Sequence, residues 1–109
     1  MAAPSELASA IAFDLELDFA RRYLTPSGEV DAVTVPILLD AAKAFMASTV
    51  GDLTIDLAGI TFADSALLHA LEEIRRDLRA QGAGLWLVNE PACVLRLFRV
   101  SGFRAMLAQ

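Results

Sequence analysis

The sequence predicts an α/β fold in which a mixed, mostly parallel sheet of about four strands is flanked by helices. Short apolar runs of strand length recur along the 109 residues, and amphipathic segments with helical spacing separate the later runs. Glycine or proline marks most of the boundaries between them. Strands that alternate with helices indicate a largely parallel sheet. A chain of this length supports one modest core, so we expect a single domain over residues 1–109.

The first two strands are expected at the N-terminal end of the chain. Residues 11–18 alternate apolar and acidic side chains, which is typical of a strand with one buried face. A second strand segment begins at Arg22–Leu24 after a short turn, and we expect it to pair antiparallel with the first at one edge of the sheet. The following T-P-S-G contains Pro26 and Gly28 and predicts a turn or loop.

A first helix is expected from Thr34 to about Ser48. Threonine is a good N-cap residue, and Pro36 falls in the first turn, where a missing N–H breaks no hydrogen bond. The apolar residues recur at helical spacing and define the predicted buried face. They are Leu38, Ala41, Ala42, Phe45 and Met46.

A third strand, L-T-I-D-L-A, places Leu53, Ile55 and Leu57 on one face. A short loop, G-I-T-F-A, then leads to Asp64 and Ser65, both good N-cap residues for a second helix. The predicted buried stripe of that helix is Leu67, Leu68, Leu71, Ile74, Arg75 and Leu78. His69 and several charged residues form its exposed face, with Glu72 and Arg76 as a favourable i,i+4 pair, and Gly82 and Gly84 end it.

The last strand and helix follow in the same alternation. L-W-L-V is a continuous apolar run, which predicts a strand covered on both faces. Pro91 opens a third helix with Asn89 or Glu90 as its cap, and Gly102 closes it. The final F-R-A-M-L-A-Q is expected to form a short helix.

Composition excludes several classes of function. The formal net charge is −5 and the cations are scattered, whereas nucleic-acid binders carry clustered Lys and Arg, so we expect no contact with nucleic acid. Cys93 is the single cysteine and His69 the single histidine, which excludes an internal disulfide and a His- or Cys-based metal site. Cys93 is expected to be a packed thiol, and we expect no cofactor.

The sequence also predicts a cytoplasmic location. The longest apolar stretches are interrupted by charged residues, so no run of about 20 apolar residues is available to cross a bilayer. The N-terminal M-A-A-P-S-E-L lacks the basic start and apolar centre of a signal peptide. We therefore expect no membrane insertion.

Three segments in this order carry a family resemblance. They are S-G-E-V-D before the first helix, L-T-I-D-L-A-G-I-T-F-A-D-S-A-L-L in the middle and V-L-R-L-F-R-V-S-G-F near the end. Together they resemble the STAS domain family, and especially the bacterial anti-sigma factor antagonists, over about Arg22 to Phe103. That family shows a G-E-L-D-like turn, a D-S-[ST]-G-L segment and a late segment ending in [ST]-G-[LF].

The resemblance implies a phosphorylation switch. In the family, the serine after the aspartate is phosphorylated by an anti-sigma factor with a histidine-kinase-like ATP-binding fold, and here it corresponds to Ser65. The unphosphorylated protein binds that kinase and frees the sigma factor, and a Ser/Thr phosphatase resets the cycle. The resemblance also implies that the partner-binding residues are Gly28, Glu29, Asp31, Asp64, Ala66 and Leu67. An added phosphate would be favoured by the N-terminal dipole of the second helix.

Alternative interpretations of the same residues remain open. Asp64 and Ser65 form an ordinary capping pair, which needs no further function, and Glu29 and Asp31 are in the same way either turn residues or partner contacts. Ala66 and Leu67 replace the family's small residue and glycine, so Leu67 is expected to stiffen the helix start and to add bulk beside Ser65. A regulatory or scaffold STAS subunit of a lipid-transport ABC system or a stressosome-like assembly, without a phosphoryl cycle, is the alternative function.

An enzyme is disfavoured by the residues available. A serine nucleophile at Ser65 needs a base within hydrogen-bond reach, and His69 lies one helical turn away on the predicted exposed face. Asp56 and Asp64 are the candidate acid–base pair. There is neither a G-x-S-x-G elbow nor a Gly-rich phosphate loop in the sequence. We therefore expect a binding protein and not an enzyme.

Overall fold

A computed structural model describes residues 13–103 of the chain. The strands are β1 (Phe13–Asp18), β2 (Tyr23–Val30), β3 (Leu53–Asp56), β4 (Gly59–Ala63) and β5 (Leu85–Val88). The helices are α1 (Val35–Ser48), α2 (Ser65–Ala80) and α3 (Ala92–Ser101). The predicted final helix lies outside the described residues except for Phe103, and so do residues 11 and 12 of the predicted first strand.

The sheet is mixed and mostly parallel, as predicted. Its strand order is β1-β2-β3-β5, and β4 also pairs with β2. β1 and β2 are antiparallel, with Phe13 opposite Gly28 and Asp18 opposite Tyr23, while the other pairings are parallel. The predicted antiparallel pair at the edge is therefore confirmed, and the sheet has one strand more than the sequence indicated.

The prediction of a turn or loop at T-P-S-G was wrong, because β2 continues through these residues. β2 pairs first with β3, where Leu24 lies opposite Ile55, and then with β4, where Ser27 lies opposite Gly59. Pro26 falls in the interval between the two pairings, a position where a strand tolerates a missing N–H. Gly28 has a left-handed φ of 94° and lies at a register shift in the ladder, so it marks a bulge and not the end of the strand.

The predicted loop G-I-T-F-A is also a strand, β4. Gly59 makes the close approach to β2 possible, because a Cβ built there would lie 2.8 Å from Cβ of Ser27. Ile60 is buried and anchors the strand in the core. β3 and β4 therefore follow one edge of β2 in succession, separated only by residues 57 and 58.

One hydrophobic core joins the sheet to all three helices. It contains Leu38 of α1, Leu71 of α2 and Phe98 of α3. The five residues predicted for the inner face of α1 are all buried, which confirms the helical spacing as the signal. The residues on the opposite face of the sheet, such as Glu16 and Thr54, are exposed or half-buried in the described part of the chain.

Three smaller predictions need correction. β5 is not covered on both faces, because Trp86 is 60% exposed and one face of the strand is therefore open to solvent. Glu72 pairs with Arg75 at 2.7 Å and not with Arg76, since an i,i+3 partner also lies on the same helix surface. Pro91, and neither Asn89 nor Glu90, occupies the N-cap position of α3.

Long-range hydrogen bonds connect several elements at the end of the sheet where the parallel strands begin. The Arg22 guanidinium donates to the backbone carbonyls of Phe45, Gly51 and Asp52 at 3.0–3.1 Å and to the Thr49 hydroxyl at 2.7 Å. The Asp52 carboxylate accepts from the Gly84 amide at 2.8 Å and from the Trp86 indole at 3.0 Å. β2, β3, β5 and the end of α1 are thus held at one place. Within residues 13–103, no helix is long and apolar enough to span a membrane.

Candidate functional site

The candidate site begins where β4 passes into α2. The Asp64 amide donates to the Val30 carbonyl at 3.3 Å, which holds the start of α2 against the end of β2. The Asp64 carboxylate accepts from the Ala66 amide at 2.9 Å, so Asp64 is the N-cap. Ser65 is the first helical residue and is exposed. Of the two predicted cap residues, only Asp64 fills that role, and the Ser65 hydroxyl faces solvent.

A compact turn at the end of β2 forms the second part of the site. The Asp31 carboxylate accepts from the amides of Val33 and Thr34 at 2.9 and 3.1 Å. The Thr34 hydroxyl donates to the Glu29 carbonyl at 2.9 Å and accepts from the Asp31 amide at 3.0 Å. Thr34 occupies the N-cap position of α1 but makes no side-chain cap to the helix, so it stabilises the turn instead.

Strand register brings these two parts together. Glu29 lies opposite Phe62, and Val30 lies opposite Ala63, immediately before Asp64. Glu29 and Ser65 are exposed, while Asp31 is half-buried. The predicted site residues at the ends of β2 and β4 therefore meet at one end of the sheet, next to the N-terminus of α2.

This end of the sheet also carries exposed apolar side chains, which were not predicted from the sequence. Val33 is 81% exposed, Phe62 49% and Ile37 47%. Val33 lies in the turn after β2, Ile37 in the first turn of α1, and Phe62 near the end of β4. The available signal was a large apolar residue inside a polar turn, as at Val33, although such residues are also common on ordinary surfaces.

The family follows from a comparison with known proteins. A family model described as "Mlab, STAS domain" matches residues 13–108. The chain belongs to the STAS domain family. This confirms the resemblance carried by the three sequence segments. No curated protein matches the sequence.

Two solved structures that this chain resembles are described as anti-sigma factor antagonists. One from Mycobacterium paratuberculosis is 25% identical, with a TM-score of 0.77, and the match covers 87% of this chain and 82% of that one. SpoIIAA in its unphosphorylated form is 25% identical, with a TM-score of 0.67 and coverage of 84% and 82%. The Bacillus SpoIIAA in its phosphorylated form shares the fold at 21% identity, with a TM-score of 0.61 and coverage of 86% of both chains.

This STAS domain departs from the family segment at Leu67, and the structure shows where that side chain goes. Leu67 is 0% exposed and belongs to the core, while Ala66 is half-buried. The expectation that Leu67 adds bulk beside Ser65 was therefore wrong, because the helix turns this side chain inward. A direct contact of the Leu67 side chain with a partner is not available in this conformation.

The two carboxylates considered as an acid–base pair have separate structural partners. The Asp56 carboxylate accepts from the Tyr23 hydroxyl at 2.8 Å, the Ala58 amide at 3.0 Å and the Asn89 amide group at 3.2 Å. Burial raises the pKa of Asp56, but these hydrogen bonds outweigh it and leave the pKa below its usual value. Asp64 caps α2.

The single histidine and the single cysteine are the remaining chemically reactive residues. His69 is exposed on α2, as predicted. Cys93 is a free, half-buried thiol whose sulfur lies 3.7 Å from the Ile60 carbonyl oxygen. In the described part of the chain, no group of three or more His, Cys, Asp or Glu residues is arranged to hold a metal ion.

Proposed function

We propose that this STAS domain is a cytoplasmic anti-sigma factor antagonist that acts by binding and not by catalysis. Its partner is an anti-sigma factor with a histidine-kinase-like ATPase fold. That partner phosphorylates Ser65, phosphorylation weakens the complex, and a Ser/Thr phosphatase restores it. The chain acts as one domain, without nucleic acid or membrane insertion.

The exposed hydroxyl of Ser65 at the first position of α2 is the observation that supports this function best. A kinase must reach the hydroxyl oxygen, and Ser65 meets this requirement because Asp64, and not Ser65, caps the helix. The free N–H groups and the dipole of a helix N-terminus favour an added anion. Similarity to anti-sigma factor antagonists at 25% identity supports the same role.

The charges at this end of the sheet give the switch a physical basis. A phosphoserine carries about −1.5 to −2 charge at pH 7. At Ser65 it adds to Asp64 and to Glu29 and Asp31 at the end of β2. A partner surface that accepts the exposed apolar residues beside an unmodified serine would then meet a strongly negative surface. Desolvating that charge on binding is costly, which favours release of the partner.

The first test is direct phosphorylation. The full chain is incubated with ATP and each anti-sigma factor of this kinase-like fold encoded by the source organism, and phosphate is located by mass spectrometry. We expect one phosphate on Ser65, none on Ser65→Ala, and unchanged labelling of Ser101→Ala, which removes the hydroxyl of another surface serine, one that donates to the Phe98 carbonyl. An anti-sigma factor that labels its own established substrate but never Ser65 would contradict the phosphorylation step.

The second test separates charge from shape at the same position. Ser65→Glu should weaken the complex by about tenfold or more, whereas Ser65→Gln and Ser65→Ala should bind as the parent does, because only the first adds charge. Dissociation constants from titration calorimetry measure this difference. Equal affinities for folded Glu and Gln variants would show that the partner docks elsewhere.

The alternative is a STAS regulatory or scaffold subunit without a phosphoryl cycle, in a lipid-transport ABC system or a stressosome-like assembly. The presence of Ala66 and Leu67, where the family segment has a small Ser or Thr and a glycine, favours it. In that case Ser65 stays unmodified by every anti-sigma kinase, and Ser65→Glu binds the ABC ATPase or scaffold partner as well as Ser65→Gln does. The two functions therefore give opposite results in the same pair of experiments.

A further inference from the structure

Strand β1 forms one edge of the sheet described over residues 13–103. Among residues 13–103, β1 pairs with β2 alone and stands first in the strand order. An edge strand presents free backbone N–H and C=O groups along one side, which an extended segment of another protein can use to join the sheet. β1 pairs with one side of β2, whereas β4, which leads to Ser65, pairs with the other side, so β2 lies between this edge and Ser65.

The two faces of β1 have different chemistry. Its outward row consists of the exposed carboxylates Asp14, Glu16 and Asp18. Its inward row is apolar, with Phe13 and Leu15 packed only partly against the core and Leu17 39% exposed. The core therefore does not fully cover the inner side of this edge. Apolar side chains of an added strand would find a surface to pack on there.

A groove beside the β1–β2 hairpin extends the acidic row. It has a volume of about 520 Å³ and is lined by Glu16, Leu17, Asp18, Arg21, Tyr23 and Thr25. The guanidinium carbon of Arg21 lies 5.1 Å from the centre of the Tyr23 ring, so the face of this ring already holds a cation. The Glu16 and Asp18 carboxylates are therefore the groups of this groove that attract the long cationic side chains of Arg and Lys.

The charges also decide against a second copy of this chain at the same edge. Antiparallel self-pairing of β1 would place carboxylates opposite carboxylates on one face, which destabilises a strand pair. Two copies of β1 therefore repel each other at this edge, whereas a strand of opposite charge is attracted to it. β5, which also pairs with a single described strand, reads L-W-L-V and carries no charge, so it has no such selectivity.

We propose that β1 is a second docking site, which accepts an extended partner segment of alternating basic and apolar residues as an added strand. The partner backbone bonds to the free edge of β1. Its cations face Asp14, Glu16 and Asp18, and its apolar side chains continue the row of Leu15 and Leu17. This site is separate from the one around Ser65 and does not depend on the function proposed for that serine.

The probe for this site is a labelled eight-residue peptide of alternating arginine and valine, and binding to the full chain is measured by fluorescence anisotropy. Glu16→Lys should weaken binding by about tenfold, because an attractive cross-strand pair becomes a repulsive one. Asp40→Lys makes the same change of charge on the exposed surface of α1 and should leave binding unchanged. A peptide of alternating glutamate and valine should bind Glu16→Lys better than the parent.

A backbone control distinguishes strand addition from simple charge attraction. An arginine–valine peptide N-methylated at every residue keeps its charge but loses the backbone hydrogen-bond donors of both edges, so it should not bind. Amide hydrogen exchange should slow within β1 when the unmodified peptide binds and should stay unchanged at Ser65 and Ala66. Equal binding of the methylated peptide would overturn the proposal, and so would binding that Glu16→Lys does not alter. Self-association of the free protein through β1, measured by sedimentation, would overturn it as well.

Discussion

The two ends of strand β2 are held in different ways. At its start, Arg22 and Asp52 make hydrogen bonds between residues that are 23–34 positions apart in the chain. At its end, the turn at Asp31 and the cap at Asp64 use side-chain bonds that span only 2–5 positions. The first set joins separate elements, whereas the second shapes one segment at a time.

This difference indicates which hydrogen bonds stabilise the whole domain and which only shape the surface of the candidate site. Bonds between distant residues hold the tertiary arrangement, so their loss should lower the free energy of unfolding of the whole domain. Local bonds fix the shape of a surface and leave Ser65 free of structural duty. The site proposed to accept a phosphate lies at the end of the sheet where a change in one residue should disturb the fold least.

The largest effect is expected for Arg22→Ala. The substitution removes a guanidinium that donates to four acceptors, so the free energy of unfolding should fall by about 3 kcal/mol. Arg22→Lys should recover only part of it, because a single ammonium cannot reach all four acceptors. Urea titration followed by circular dichroism measures the change. Arg21→Ala is the control and should cost less than about 1 kcal/mol, and a cost equal to that of Arg22→Ala would contradict the comparison.

The pH dependence of stability should show that the long-range hydrogen bonds of Asp52 also stabilise the fold. The indole of Trp86 and the amide of Gly84 hold the pKa of Asp52 below its ordinary value of 3.8. A carboxylate with a lowered folded pKa stabilises the protein above its ordinary pKa, and this contribution is lost as the pH falls through the folded value. In Asp52→Asn, the free energy of unfolding should therefore decline less between pH 5 and about pH 3 than in the parent.

Trp86→Phe provides the check on this assignment. It removes the indole donor while keeping an aromatic ring on β5, so it should reduce the same part of the acid dependence. The double variant should then lose less than the sum of the two single losses, because both changes act on one interaction. Strict additivity between the variants would show that the acid dependence arises from other carboxylates.

The sequence predicted the helices and the general topology because their signals are local. The spacing of apolar residues in α1 and the position of Gly102 at the end of α3 are read from neighbouring residues, and both predictions are confirmed. The length and pairing of β2 were harder to predict, because Pro26 and Gly28 normally interrupt a strand. They are tolerated here by a gap between β3 and β4 and by a bulge, and neither is visible before the pairing is known.

The candidate site shows the same division. Ser65, Glu29 and Asp31 were predicted from sequence segments, and the register of β2 with β4 brings them to one end of the sheet. The inward direction of Leu67 and the exposure of Phe62 depend on how α2 and β4 pack, so the sequence left them undecided. The hydrogen bonds of Arg22 could not have been predicted, because their acceptors lie 23–30 positions away, at the end of α1 and in the segment that leads to β3.

The smallest effects are expected at the end of the sheet that carries Ser65. Asp64→Ala removes the side-chain cap of α2 and should lower the free energy of unfolding by about 1 kcal/mol, because the Ala66 amide loses its acceptor. Ser65→Ala should change it by less than about 0.5 kcal/mol, since the hydroxyl is exposed and alanine is a better helix former. Asp64→Asn should retain most of the stability, because an amide oxygen also caps a helix. If Ser65→Ala instead costs as much as Asp64→Ala, the serine is the cap, and its hydroxyl is then engaged by the helix and not free to receive a phosphate.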